Sequence, residues 1–135
     1  VSVVDASVWV ASFLSDDVHH ARSLQWIVDQ TSSRSEILIP TLALAEIAGA
    51  LARRTNSTVV GQRAIGLLLA LPTLHLIPLD DAVGKRASEL ASTCRLRGAD
   101  AVDVAVAQAH GSILITWDAE VAARAGALVR VLQPT

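Results

Sequence analysis

Five short, largely aliphatic runs recur along the chain, Val1 to Val4, Ile37 to Ile39, Leu74 to Leu79, Ile113 to Thr116 and Leu128 to Leu132, and between them apolar residues return at helical spacing. Successive rather than alternate positions are apolar, so strands built from these runs must be covered on both faces. Strands that alternate with helices and are covered in this way specify a parallel sheet joined by right-handed crossovers. The expected class is α/β, a three-layer α/β/α sandwich, and 135 residues suit a single domain over 1–135.

The intervening segments read as helices. Val8, Phe13 and Leu14 suggest one, ended by Ser15-Asp16-Asp17, and His19 to Gln30 a second. Thr41 is the expected N-cap of a helix through Arg54, and the Thr55 to Thr58 cluster separates it from another helix over Val59 to Leu71. Further helices are expected from Asp80 to Arg95, from Asp100 to His110 with Gly111 as terminator, and from Asp118 to Ala125 with Gly126 as C-cap.

Composition narrows the function. The residues are 52% hydrophobic but only 3% aromatic, so Ala, Val, Leu and Ile carry the core and disorder is excluded. The most apolar stretch, Ala64 to Leu71, is eight residues long, well short of the roughly 18 that a membrane helix requires. The first residues carry Asp5 and no basic run, unlike a secretory signal, and the expected location is cytoplasmic. Cys94 is the only cysteine, which excludes an internal disulfide and a cysteine-rich zinc site. With 11 basic and 13 acidic residues the net charge is −2, so any nucleic acid must meet a local basic patch.

In a parallel sheet ligands bind beyond the carboxyl ends of the strands. Asp5 directly follows the first strand and Asp118 lies two residues beyond Thr116. Glu46 lies about 7.5 Å along the helix that follows the second strand, and Asp100 opens the helix that leads back into the fourth. Capping alone would account for each Asp, and Glu46 alone reads as a solvated helix residue. However, Glu46 shares its helix side with Leu42, Gly49 and Ala50, and four carboxylates at one edge repel unless a cation or a proton neutralises them. All-oxygen ligation favours Mg²⁺ or Mn²⁺ over zinc, and none of the histidines, His19, His20, His75 or His110, has a ligand-like spacing. Such a centre suits phosphoryl chemistry.

The segments V-V-D-A-S at 3–7, P-T-L-A-L-A-E ending at Glu46, G-A-D-A-V-D-V-A-V-A-Q-A-H-G at 98–111 and I-L-I-T-W-D at 113–118 resemble the PIN-domain ribonucleases. The likeness is greatest to the VapC-type toxins of toxin–antitoxin systems. The resemblance implies a five-stranded sheet of order 3-2-1-4-5 and metal-dependent endonucleolytic cleavage of RNA. Asp5, Glu46, Asp100 and Asp118 match the family's acidic quartet, with Asp5, Asp100 and Asp118 the expected ligands of Mg²⁺ or Mn²⁺. Thr116 matches a supporting hydroxyl, and Ser7 a small polar position beside the first Asp. A cognate antitoxin covering the groove and a homodimer are also implied.

Asp103 departs from the family pattern, which more often has an apolar or aromatic residue there. Its i,i+3 relation to Asp100 allows an auxiliary metal ligand, and its place near a helix N-terminus allows a purely dipolar role. Arg22, Arg53, Arg54, Arg95 and Arg97 are candidates for phosphate contact, with Arg95 and Arg97 favoured because they immediately precede Asp100. Two other classes compete. A receiver-like phosphoacceptor domain would use Asp80 or Asp81, although Asp5 lacks the acidic neighbour that class requires, and the alternative is a PIN-like module that serves binding alone.

Overall fold

The computed structural model describes all 135 residues, Val1–Thr135. Ser2–Val4 (β1) is the central strand, paired with Ile37–Pro40 (β2) on one side and Ile113–Ile115 (β4) on the other. Leu74–Ile77 (β3) and Val131–Leu132 (β5) complete a five-stranded parallel sheet of order β3-β2-β1-β4-β5. The sheet has the order that the resemblance implied, and with β3 outermost it differs from the 2-1-3-4-5 order of receiver-like folds.

Alternation along each strand sends successive side chains to opposite faces, so two cores form. Val4, Ile37, Ile39 and Ile115 pack under Ala6–Phe13 (α1), His20–Ser32 (α2), Thr41–Thr55 (α3) and Thr58–Leu69 (α4). Val3, Leu38 and Leu114 pack on the other face under Asp81–Cys94 (α5), Gly98–His110 (α6) and Ala119–Ala125 (α7). α6 is buried without interruption from Ala101 to Ala107, as its run of Ala and Val requires. Gly111 then ends it at φ 59°, a left-handed conformation that glycine adopts without a steric penalty.

Several boundaries differ from the expectation. Pro40 rather than Thr41 occupies the N-cap of α3, and the Thr41 hydroxyl instead accepts from the Leu79 amide at 3.4 Å. β3 stops at Ile77, before Pro78, which has no amide to donate. β5 is confined to Val131–Leu132, because the Leu128 and Val129 amides are held by the Ala125 carbonyl at the end of α7. α6 begins at Gly98, so Asp100 is its third residue and not its cap. No helix is long and apolar enough to cross a membrane.

The chain leaves β1 toward β2 on one side while β4 flanks it on the other, so the strand order reverses beside β1. The crevice beyond the carboxyl ends of β1 and β4 is therefore where a ligand site is expected.

Candidate active site

Asp5 stands at the end of β1, where its amide still pairs with the Ile115 carbonyl at 3.0 Å, and caps α1. Its Oδ2 accepts from the Ser7 hydroxyl at 2.6 Å, the Ser7 amide at 3.3 Å and the Thr116 hydroxyl at 2.9 Å. Both hydroxyls are held in turn: Thr116 Oγ1 accepts from the Asp118 amide at 3.1 Å, and Ser7 Oγ from the Trp117 amide at 3.3 Å. The loop after β4 is thus tied to Asp5 by two side chains, and Oδ1 is left free of these donors.

α6 brings two more carboxylates. Asp100 and Asp103 are one turn apart on the same face, and one ligand oxygen from each lies within 4.8 Å of the others and of Asp5. Asp103 is 3% exposed within the apolar run of α6. Burial, followed by the charges of Asp5, Glu46 and Asp100, pushes its carboxyl well above the ordinary carboxylate range. Burial and Asp5 raise Asp100 as well, against the lowering effect of Arg97. Glu46 reaches the same cleft from α3, half-buried, and burial together with Asp5 and Asp100 raises its proton affinity.

Asp118 differs from these. Its Oδ1 accepts from the Glu120 amide at 2.9 Å as the N-cap of α7, while Oδ2 is 3.2 Å from Arg97 Nη2. The same guanidinium lies 3.4 Å from Asp100 through Nε. Arg97 therefore bridges the rim of a cavity of about 300 Å³ lined by Asp5, Ser7, Glu46, Asp100 and Asp118. The convergent donors are carboxylate oxygens alone, which fits a hard divalent cation such as Mg²⁺ or Mn²⁺. The three nearest to one another are Asp5, Asp100 and Asp103, whereas the expected ligand set had Asp118 in place of Asp103.

A second hollow, of about 660 Å³, adjoins this cavity and shares Ala6, Ser7 and Glu46 with it. Its wall carries Arg53 and Arg54 from α3 together with a parallel stack of His19 on Trp117, with ring centroids 3.8 Å apart and planes 9° apart. Asp17 organises this wall, accepting from the His19 amide at 2.8 Å and from Arg54 at 2.9 Å. Burial alone would raise the Asp17 carboxyl, but these two donors outweigh it and hold the group below its usual value.

Of the residues singled out from sequence, Asp5, Ser7, Glu46, Asp100 and Asp118 line the acidic cavity, and Asp103 and Thr116 lie against Asp5 beneath it. Arg97 is at the cavity, but Arg95 is not. Arg95 takes a left-handed conformation at φ 56° after α5 and donates to the Ser92 carbonyl of its own helix. Asp80 is outside the site too, capping α5 through the Val83 amide. The sequence reading missed the His19–Trp117 stack. Trp117 was legible as one of only three tryptophans, set between two site residues, but nothing local revealed that a residue 98 positions away, His19, would lie against it.

The sequence matches the family model described as PIN domain over residues 2–127. No curated protein matches it. Among solved structures, it is similar to VapC20 of Mycobacterium tuberculosis, a Sarcin-Ricin loop cleaving toxin, with a TM-score of 0.80 and 19% identity over 91% of this chain and 94% of that one. A toxin–antitoxin complex from Klebsiella pneumoniae matches at 0.71 and 19% identity, covering 100% of this chain and 98% of that one. VapBC2 from Rickettsia felis, bound to a promoter DNA fragment, matches at 0.74 and 13% identity over 98% and 97%. The matched region of the family model contains both arms of the acidic site, from Asp5 to Asp118, and the chain belongs to the PIN-domain family.

Proposed function

We propose that the protein is a divalent-metal-dependent endoribonuclease and the toxin of a toxin–antitoxin pair. The observation that carries this reading is the convergence of Asp5, Asp100 and Asp103 within 4.8 Å, at the crevice where the strand order reverses. Membership of the PIN-domain family and a fold shared with VapC proteins support it.

Asp5, Asp100 and Asp103 would hold Mg²⁺ or Mn²⁺. A cation so bound would polarise a phosphate oxygen and lower the pKa of a bound water. Ser7 and Thr116 fix the Asp5 carboxylate by donating to one of its oxygens, so its orientation is set before any substrate arrives. Glu46, with its raised proton affinity, is suited to hold a proton at its carboxylate during the reaction. Arg97 keeps Asp118 and Asp100 apart from full mutual repulsion and supplies positive charge at the rim. A cognate antitoxin is the proposed protein partner. Leu24, Val28 and Leu67, each more than 40% exposed beside an apolar groove between α2 and α4, are the proposed homodimer face.

Incubation of a mixed RNA pool with Mn²⁺ or Mg²⁺ tests the reading. Cleavage that EDTA stops and Glu46→Gln strongly slows is the expected result. Metal binding without any cutting would make the protein a binding module instead.

A further inference from the structure

The hollow beside the acidic cavity is larger than the cavity itself, and no step assigned to the carboxylates uses it. α3 lines it with Ala45, Glu46, Ala50, Arg53 and Arg54. Glu46, Gly49, Ala50 and Arg53 succeed one another at helical spacing, so an acid at the reaction centre is followed by two small residues and then a base. Glu46 and Arg53 are two turns apart, about 10.5 Å along the axis. Arg53 leans back toward the cavity: a Cβ on Gly49 would lie 3.1 Å from its Nη1, so the absence of a side chain at 49 makes room for the guanidinium.

Arg53 is exposed and forms no ion pair or hydrogen bond within the chain, whereas its neighbour Arg54 is neutralised by Asp17. One uncommitted guanidinium therefore faces the hollow beside the reaction centre. The His19–Trp117 stack lines the same hollow, and hydrogen bonds hold it in place. Trp117 donates from Nε1 to the fully buried Ser23 hydroxyl at 2.8 Å, and from its amide to Ser7, which itself holds Asp5. His19 is fixed through its amide by Asp17. An aromatic surface is thus linked, through Ser7, to a carboxylate of the reaction centre.

We propose that this hollow is a nucleotide subsite: a base of single-stranded RNA adjacent to the cleaved linkage extends the His19–Trp117 stack, and Arg53 receives the neighbouring phosphate. Stacking platforms next to a guanidinium are how proteins hold unpaired bases without reading their hydrogen-bonding edges. A base-paired helix keeps its bases stacked on one another, so the subsite selects an unpaired segment. Arg53 places an unpaired positive charge beside the carboxylates, whereas Arg97 is held by Asp100 and Asp118, and a phosphate on Arg53 offsets part of the repulsion that the carboxylates would exert on RNA.

This inference rests on the nuclease reading, and the experiment separates the two. Arg53→Ala, Trp117→Ala and Trp117→Phe are compared with the unsubstituted protein for Mn²⁺-dependent cleavage of a mixed RNA pool, with the nucleotide flanking each cut read by end mapping. The affinity for a short single-stranded RNA of random sequence is measured in an Asp5→Asn background, so that the RNA survives, and Mn²⁺ binding is measured with Asp5 intact. Trp117→Ala should weaken RNA binding roughly 5- to 150-fold and flatten the preference at one flanking position. Trp117→Phe, which keeps the ring and loses the bond to Ser23, should retain most of both and thereby separates stacking from folding. Arg53→Ala should reduce the slope of log affinity against log salt by about 0.7. Mn²⁺ binding should be unchanged throughout. If cleavage depends on metal and Asp5 but RNA affinity and flanking preference are the same in all variants, the subsite is wrong and the nuclease reading stands. If the variants lose an antitoxin partner but keep RNA, the hollow belongs to that protein and the proposal fails. If the unsubstituted protein neither binds nor cuts RNA, both readings fall.

Discussion

Asp103 is the residue whose environment is hardest to explain without a metal, because an apolar helix encloses it against Asp5. Folding raises the proton affinity of Asp103, Asp100 and Glu46, chiefly through burial. A carboxyl raised in this way favours the folded state fully below its unfolded value, about 3.9 for Asp, and that contribution is lost as pH rises through the raised value. The metal-free protein should therefore melt at progressively lower temperature as pH climbs from about 4 toward the raised values of these carboxyls. Mn²⁺ should restore stability most where the loss is largest. Asp103→Asn should flatten the metal-free profile and weaken Mn²⁺ binding roughly 10- to 100-fold. Scanning fluorimetry across pH, with EDTA and with Mn²⁺, reads the first effect and calorimetry the second; a pH-independent melt in EDTA would contradict the electrostatic account. The i,i+3 spacing from Asp100 made Asp103 visible in the sequence as a possible ligand. Its depth was not visible, since that depends on α6 being covered along its whole length.

Elements deliver these residues, and two of them can be tested by paired substitutions. Asp118 both caps α7 and balances Arg97. Asp118→Asn keeps an oxygen for the Glu120 amide but loses the charge, whereas Asp118→Ala loses both. Each should impair cleavage, and only the alanine variant should lower stability in urea unfolding, by about 1 kcal/mol; equal stability would remove the cap from the account. In the α3–α4 hairpin, a Cβ at Gly61 would come within 2.8 Å of the Ala48 carbonyl, while at Gly66 it would meet nothing within 4 Å. Gly66→Ala should stabilise by up to about 1 kcal/mol. Gly61→Ala must part the helix that carries Glu46 from its neighbour and should destabilise by about 1–3 kcal/mol before any gain in helix propensity. Equilibrium urea denaturation of the pair should give opposite signs. Most elements were legible because their apolar periods are unbroken, as in β1, β2 and β4. The ends were less so: Pro40 took the cap expected of Thr41, and α6 began before Asp100. Caps are decided by backbone geometry at a junction rather than by residue type alone.

At the scale of the whole molecule, a parallel sheet gathers residues from the two ends of the chain at one crevice. Asp5 and Thr116 are 111 positions apart and 2.9 Å in contact. Asp5, Glu46, Asp100 and Asp118 could be assigned to one sheet edge from the sequence because each follows a strand or precedes one at the same end. The sheet order came from family resemblance, since local pattern does not specify which strands pair. The hollow beside Trp117 escaped notice for a related reason: α1, α3 and the loops around His19 and Trp117 form it together, and no single segment announces it. If a divalent cation held by the β1 and α6 carboxylates enables RNA cleavage, titrating Mn²⁺ into metal-free protein should raise bound metal and the rate at which mixed RNA is cut together in the same samples. The rate should rise with occupancy of the site, fall to background in EDTA, and be reduced about a hundredfold or more in Asp5→Asn. Cleavage that persists in EDTA, or that Asp5→Asn performs as fast as the unsubstituted protein, would contradict metal-dependent cleavage at this site.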